Sequence, residues 1–314
     1  MGTLVGHVLP GLGFLLIGLW HLINHIKAHS INPNSYKSHP WFPTPILRHL
    51  ELHLIMIGCT ISIAMELFFG PHRHQPLNPD WTIPSTHLHN FDHALIAFSF
   101  FIYATFAIVL DRLKPMAHHD LTQLLVAAAF GQELLLFHLH SVDQSGIETQ
   151  YHSLLQIIIF ITLLTLVIGI LLPNSFLISF VGSLSIFFQG VWLMITGFML
   201  WTPQLLPKGC WLISEVGHMV ARCTGDGALS RAIRLVNLLF SWCLASAIVF
   251  SVILYLVLIK WYGDMVEYNQ LDGGDGDGDD EESQNQKKKN KKKKQQLGFV
   301  HMEKVAWAPV DIER

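Results

Sequence analysis

The stretch HSLLQIIIFITLLTLVIGILL, from His152 to Leu172, decides the fold. Apart from its leading histidine it has no ionisable side chain over 21 residues, and a helix of about 20 apolar residues is enough to cross a hydrocarbon core. Every backbone N–H and C=O in lipid has to be satisfied within the segment, so an apolar run of this length is a helix. A barrel strand would need about 10 residues of alternating polarity, and the chain shows no such alternation. Six further stretches read the same way: Leu4 to Ile26, Ile46 to Phe69, Leu88 to Leu110, Leu121 to His140, Phe176 to Trp201 and Ile233 to Lys260. The expected fold is an all-α membrane protein, a seven-transmembrane-helix bundle with a disordered C-terminal tail.

Composition agrees with this. Of 314 residues 51% are apolar and 14% charged, with a mean hydropathy of +0.40, whereas an average soluble domain carries about 25% charged residues. The first segment has no positively charged region ahead of it and ends in His21 and His25, so it reads as a retained anchor rather than a cleaved signal peptide. Pro and Asn mark the joints, and Pro173-Asn174 leaves so short a connection that the fifth and sixth helices should pack antiparallel as neighbours. Loop charges set orientation. With seven spans, Lys27, Lys37, Arg48, Arg112, Lys114, Lys260 and the whole tail share one side, and Arg73, Lys208, Arg222, Arg231 and Arg234 share the other. That bias points to an outside N-terminus and a cytoplasmic C-terminus, in the endomembrane system or the plasma membrane.

At Gly263 the composition changes, dividing a transmembrane domain over residues 1–262 from a tail over 263–314. The tail runs from an acidic, Gly-rich block between Leu271 and Glu282 into the lysine clusters of Lys287–Lys294. Such blocks bury too little apolar surface to offset ordering entropy. The acidic run lacks the flanking helices of an EF-hand. The lysines could contact anionic lipid, at about 1 kcal/mol each near the surface, act as a basic address signal, or serve as a solvated linker. They have no interleaved aromatics, and no nucleic-acid partner is supported. The lipid bilayer is the expected partner. Cys210 and Cys223 fall in one loop, as a disulfide or as two free thiols, while Cys59 and Cys243 read as small apolar helix residues.

Eighteen of the nineteen histidines lie between His7 and His218, among these apolar runs. An ionisable group at membrane depth is costly, by about 2.5 to 3.5 kcal/mol for charged types, and tends to face a bundle interior or a ligand. Following the chain back and forth sorts them into two layers. The inner layer has His21, His25 and His29 on one face of the first helix, and His49 and His53 at i,i+4 on the second, with Glu51 between them. An i,i+4 pair of imidazoles can hold one metal ion, with a third ligand from the facing helix or from His118-His119. The alternative is a set of interfacial, hydrogen-bonded histidines.

The outer layer has His7, Glu66, His87, His89, Asp92, His93, Glu133, His138, His140 and His152, with Gln156 one turn beyond His152. Five consecutive helices thus offer His or Glu at similar depth, the make-up of a carboxylate/histidine site in a bundle core. The candidate metal ligands are His89, His93, Glu133, His138, His140 and His152. Such donors suit a transition metal such as zinc or iron, or manganese or copper(II), over copper(I). The alternative is a hydrogen-bond network that clips helices together. Glu133, well inside its helix, is expected to be neutral unless a histidine or a metal pairs with it, which makes it a proton-relay candidate as well as a ligand. Gln189, an intramembrane amide beside Gly190, reads as a close-packing contact with an interhelical hydrogen bond.

Glu133, Phe137-His138-Leu139-His140, His152-Ser153-Leu154-Leu155, Gln189-Gly190-Val191-Trp192 and Thr196-Gly197-Phe198 together resemble the transmembrane protein 45 family, also called domain of unknown function 716. Gly2, His7, Pro10-Gly11 and Gly18-Leu19-Trp20-His21 fit as well. The resemblance covers most of residues 2–260 and implies a seven-helix membrane protein without an established biochemical activity. It carries over Glu133, His138, His140 and His152 as a polar core, with Gln189 beside them. Where the family has a His-x-His pair at the start of the fifth helix, this chain has Gln150-Tyr151-His152, one imidazole fewer.

Three functions are consistent with these residues. One is binding or transport of a metal ion or proton through the His/Glu core. Another is a membrane oxidoreductase with a histidine-ligated metal or haem. The third is an endomembrane scaffold or adaptor acting through its tail. No serine elbow, HExxH or phosphate loop marks a hydrolase or nucleotide enzyme.

Overall fold

Seven long helices follow one another in the computed structural model, which describes residues 4–69, 76–84, 87–142, 146–215 and 218–272. They are α1 (Leu4–Ile31), α2 (Leu50–Ala64, continued by a π-helical turn over Met65–Phe69), α3 (Leu88–Leu113), α4 (His118–Val142), α5 (Ile147–Leu171), α6 (Phe176–Trp201) and α7 (Gly225–Asp272). Among the described residues these seven are long and apolar enough to cross a membrane. The chain is a multi-pass, seven-helix protein. The end of the bundle at which α1 begins is called the outer end below, and the opposite one the inner end.

Local signals explain the breaks. At the end of α3, Lys114 adopts a left-handed conformation (φ 48°), and Pro115 behind it cannot continue the helix. Pro173 and Asn174 turn the chain between α5 and α6, which pack as antiparallel neighbours. Between α6 and α7 the chain forms an antiparallel hairpin, β1 (Cys210–Glu215) with β2 (His218–Cys223). A hairpin was not expected from the sequence. Cys210 and Cys223 are its cross-strand partners and form a disulfide. A loop of this size closed by a disulfide gains about 3 kcal/mol through restriction of the unfolded chain.

Helix α7 runs to Asp272, past Gly263 where disorder was expected to begin. One compact unit extends over Met1–Asp264. The lysines of Lys287–Lys294 lie outside the described residues, as does Arg73 among the charges used for orientation.

Helices α1 to α6 close a ring in chain order, with α1 against both α6 and α2. Phe14 of α1 also reaches Phe100 of α3 and Phe130 of α4, at 5.6 and 6.0 Å between ring centroids. Helix α7 stands outside this ring, where Phe240 meets Phe188 and Trp192 and Tyr255 meets Phe176. The closest contact is between α1 and α6, and glycine makes it possible. A Cβ on Gly18 would sit 2.2 Å from the Phe187 nitrogen, and one on Gly190 would sit 2.2 Å from the Leu15 nitrogen. Lipid tails supply no hydrophobic drive between helices, so small residues that let backbones approach do that work through packing.

Gly18→Ala and Gly190→Ala should therefore each lower stability by about 3 kcal/mol or more, the upper range for overpacking. Gly13→Ala, with nothing within 4 Å of the added carbon, should be nearly neutral. Thermal unfolding in detergent measures this, and equal melting of the three variants would contradict the backbone contact.

Candidate ion site in the outer half of the bundle

The two layers of polar groups differ in how completely they are hydrogen bonded. At the inner end the centre is Glu51, which is buried. Its Oε1 lies 2.6 Å from His21 Nε2, and its Oε2 accepts from Trp20 Nε1 at 3.0 Å and from the Phe42 backbone N–H at 2.9 Å. His25 Nδ1 meets the Tyr36 hydroxyl at 2.8 Å. Burial pushes the Tyr36 phenol up to about 12, which keeps it a neutral hydroxyl. His49 joins Arg48 on Asp111, at 2.8 Å for each contact, and His53 Nδ1 lies 2.6 Å from the His49 carbonyl oxygen. His21, His25, His49 and His53 thus have a separate partner each, and the two i,i+4 pairs do not converge. His118 and His119 lie against each other at 4.2 Å with their rings tilted, and His39 meets His119 edge-on.

This inner network holds the segment between α1 and α2 in place. Tyr36, Trp41 and Phe42 are buried there, the Ser38 N–H donates to the Pro173 carbonyl, and the Tyr103 hydroxyl donates to the Pro40 carbonyl. Burial of the same segment holds the His39 imidazole below its ordinary range.

The outer layer draws on all six ring helices. Glu66, in the π-turn that ends α2, lies 3.4 Å from His93 Nδ1 of α3 and accepts from Asn90 Nδ2 at 3.0 Å. Phe137 of α4 stands between His93 (6.1 Å) and His152 of α5 (5.8 Å). His7 of α1 stacks on His152 at 5.9 Å and meets Trp201 of α6 at 4.5 Å with the rings tilted. One turn deeper on α4 than Phe137 is Glu133, 1% exposed, whose Oε1 accepts from Gln189 Nε2 at 2.7 Å.

Six buried side-chain atoms among the described residues have no hydrogen-bond partner: His87 Nδ1, Glu133 Oε2, Thr149 Oγ1, Gln189 Oε1, Thr196 Oγ1 and Trp201 Nε1. All six belong to residues at or outward of the middle of their helices. A buried group left unbonded costs about 1–3 kcal/mol, and among the described residues this cost falls in the outer half.

The expected metal ligands are distributed unevenly around this core. Glu133 pairs with Gln189, and His93 and His152 flank Phe137. His89 is half-buried in the first turn of α3. His138 is exposed and meets Gln156 Oε1 at 3.2 Å. It lies about 140° round α4 from Glu133 by helix geometry, in a crevice of about 530 Å³ lined also by Leu135, Ile157 and Phe160. Those three are more than half exposed, so the crevice opens to the lipid side. The His140 side chain lies outside the described ones. Among the described residues no three His, Cys, Asp or Glu side chains form a metal-ligand group.

The interhelical hydrogen bond expected of Gln189 is the one to Glu133, while sequence reasoning passed over Asn90, Thr196 and Trp201 as members of this layer. The available signal was period: Thr196 is seven residues from Gln189 and so shares its face. Gln150 donates to Asn237 Oδ1 of α7 at 2.6 Å. That position faces α7 and is no part of the core.

Comparison with known proteins agrees with this architecture. The family of unknown function DUF716 matches residues 119–256, which include Glu133, His138, His152, Gln189 and both disulfide cysteines. Over 215 residues the chain is 26% identical to transmembrane epididymal protein 1A of Mus musculus, covering 65% of this chain and 68% of that protein. The chain is a multi-pass membrane protein similar to that family over residues 119–256.

Removing Glu51 leaves His21 and the Phe42 N–H buried without their acceptor. Glu51→Ala should cost about 3 kcal/mol or more, as for other broken buried pairs, and should expose the segment between α1 and α2 to proteolysis. Thermal unfolding with limited proteolysis tests this, and wild-type behaviour in both would show that the network does not hold the segment.

Proposed function

We propose that this protein binds a cation, a proton or a divalent metal ion, in the outer half of its bundle and passes it across the membrane, with Glu133 as the group that takes it. The observation that carries the reading is the contrast between the layers. Glu51 at the inner end has three donors, whereas the outer half holds six buried polar atoms without partners among the described residues, and two of them, Glu133 Oε2 and Gln189 Oε1, belong to one hydrogen-bonded pair. A membrane protein keeps such costly groups at depth where they serve an ion or a proton path.

The disulfide between Cys210 and Cys223 supports the proposed orientation, because such a bond persists in an oxidising compartment. The hairpin is at the outer end, so this reading has the N-terminus outside and the C-terminus in the cytoplasm.

Flux into proteoliposomes tests the function, with a pH-sensitive dye for protons and a zinc-sensitive dye for Zn²⁺. The reconstituted protein should carry one of these ions. Glu133→Gln should reduce the flux to that of empty vesicles, while His138→Ala, on the lipid side, should leave it unchanged. Wild-type flux through Glu133→Gln, or none through the wild-type protein, overturns the proposal.

A further inference from the structure

We infer that the ion is a proton and that Gln189 is the group that reads its arrival, by closing an acid–amide pair with Glu133. The inference rests on the ion-site reading above and names the ion.

Gln189 Nε2 already donates to Glu133 Oε1 at 2.7 Å, and the two atoms left over, Glu133 Oε2 and Gln189 Oε1, are both buried without a partner. An ionised carboxylate brings only acceptors, so Oε2 and the amide oxygen then have nothing to exchange. A carboxylic acid brings one O–H donor, and an amide offers one acceptor beside its donor. Protonation at Oε2 therefore supplies the missing donor. The O–H donates to Gln189 Oε1, Nε2–H donates to Glu133 Oε1, and an eight-membered ring closes with all four atoms paired. Turning the amide over keeps the requirement, because two acceptors would then meet at 2.7 Å and need a proton between them.

A metal ion fits the same atoms poorly. The Gln189 N–H points at one carboxylate oxygen, presenting positive charge where a cation would sit. Structural zinc takes four N, O or S ligands, and among the described residues no group of three His, Cys, Asp or Glu is in place. The titratable groups that neighbouring elements bring to this half are His7 on α1, Glu66 on α2, His87 at the start of α3 with His89, Asp92 and His93 on it, and Glu148, Tyr151 and His152 on α5; α6 brings none. The selective partner of Glu133 is thus a neutral amide, which distinguishes acid from carboxylate by hydrogen bonding alone. Closing and opening the pair ties α4 to α6, and α6 is fused by its glycines to α1.

Infrared difference spectroscopy of the full-length protein in bilayers, across a pH step in H₂O and D₂O, tests the pair. The wild type should show a protonated-carboxyl carbonyl band that shifts on deuteration. Glu133→Gln should lose that band and Gln189→Leu should shift it, while the exchanged double variant Glu133→Gln/Gln189→Glu should regain a paired-acid band. Thermal unfolding of each variant establishes that it is folded, and the exchanged variant retains the pair's composition and volume. A band that survives Glu133→Gln, or one unmoved by Gln189→Leu, overturns the proposal. Zn²⁺ binding by calorimetry separates it from the reading beneath. Stoichiometric Zn²⁺ lost in Glu133→Gln, with no acid band, leaves the ion site standing and removes the proton. An acid band and a Zn²⁺ isotherm both indifferent to Glu133→Gln remove both.

Discussion

The backbones of α1 and α6 touch, and the placement of the polar groups depends on that contact. With any side chain at Gly18 or Gly190 the two helices would have to separate. His7 would then leave Trp201, and Phe14 would leave Phe100 and Phe130. Helix α1 would no longer stand against both α6 and α2, and the ring of six helices would open along that seam. Helix association in lipid rests on packing and hydrogen bonds rather than on water exclusion, so the loss of one intimate contact is not recovered elsewhere.

On this frame the ionisable groups of the two ends differ in how fully they are hydrogen bonded. At the inner end, carboxylates are saturated: Glu51 by an imidazole, an indole and a backbone N–H, and Asp111 by Arg48 and His49. These bonds fix an irregular segment across the end of the bundle. In the outer half the carboxyl of Glu133 has one neutral partner and one unpaired oxygen, within a layer of histidines and aromatic rings. Saturation stabilises, whereas partial saturation leaves room to gain a proton, and on the proposed reading the same residue types serve structure at one end and chemistry at the other.

The seven spans were legible because apolar runs of about 20 residues have one solution in lipid. The outer layer was legible in part, since counting back and forth along helices gives depth. Partners were less so, because spacing on a helix fixes a face and not what that face meets. Glu51, two residues from both His49 and His53, lies about 200° round α2 from each. It turns to α1 while His49 turns to Asp111 of α3. The same arithmetic puts His138 away from Glu133. The hairpin went unread because its strands are short and sit between two spans. The disulfide stayed open because only strand register brings Cys210 opposite Cys223.

Structures of the protein in bilayers at acidic and alkaline pH would test this division most directly. Glu133 Oε2 should come within hydrogen-bond distance of Gln189 Oε1 at acidic pH and withdraw at alkaline pH, with the three bonds to Glu51 unchanged in both. Identical Glu133–Gln189 geometry at the two pH values, or a rearrangement centred on Glu51, would contradict the assignment of chemistry to the outer half.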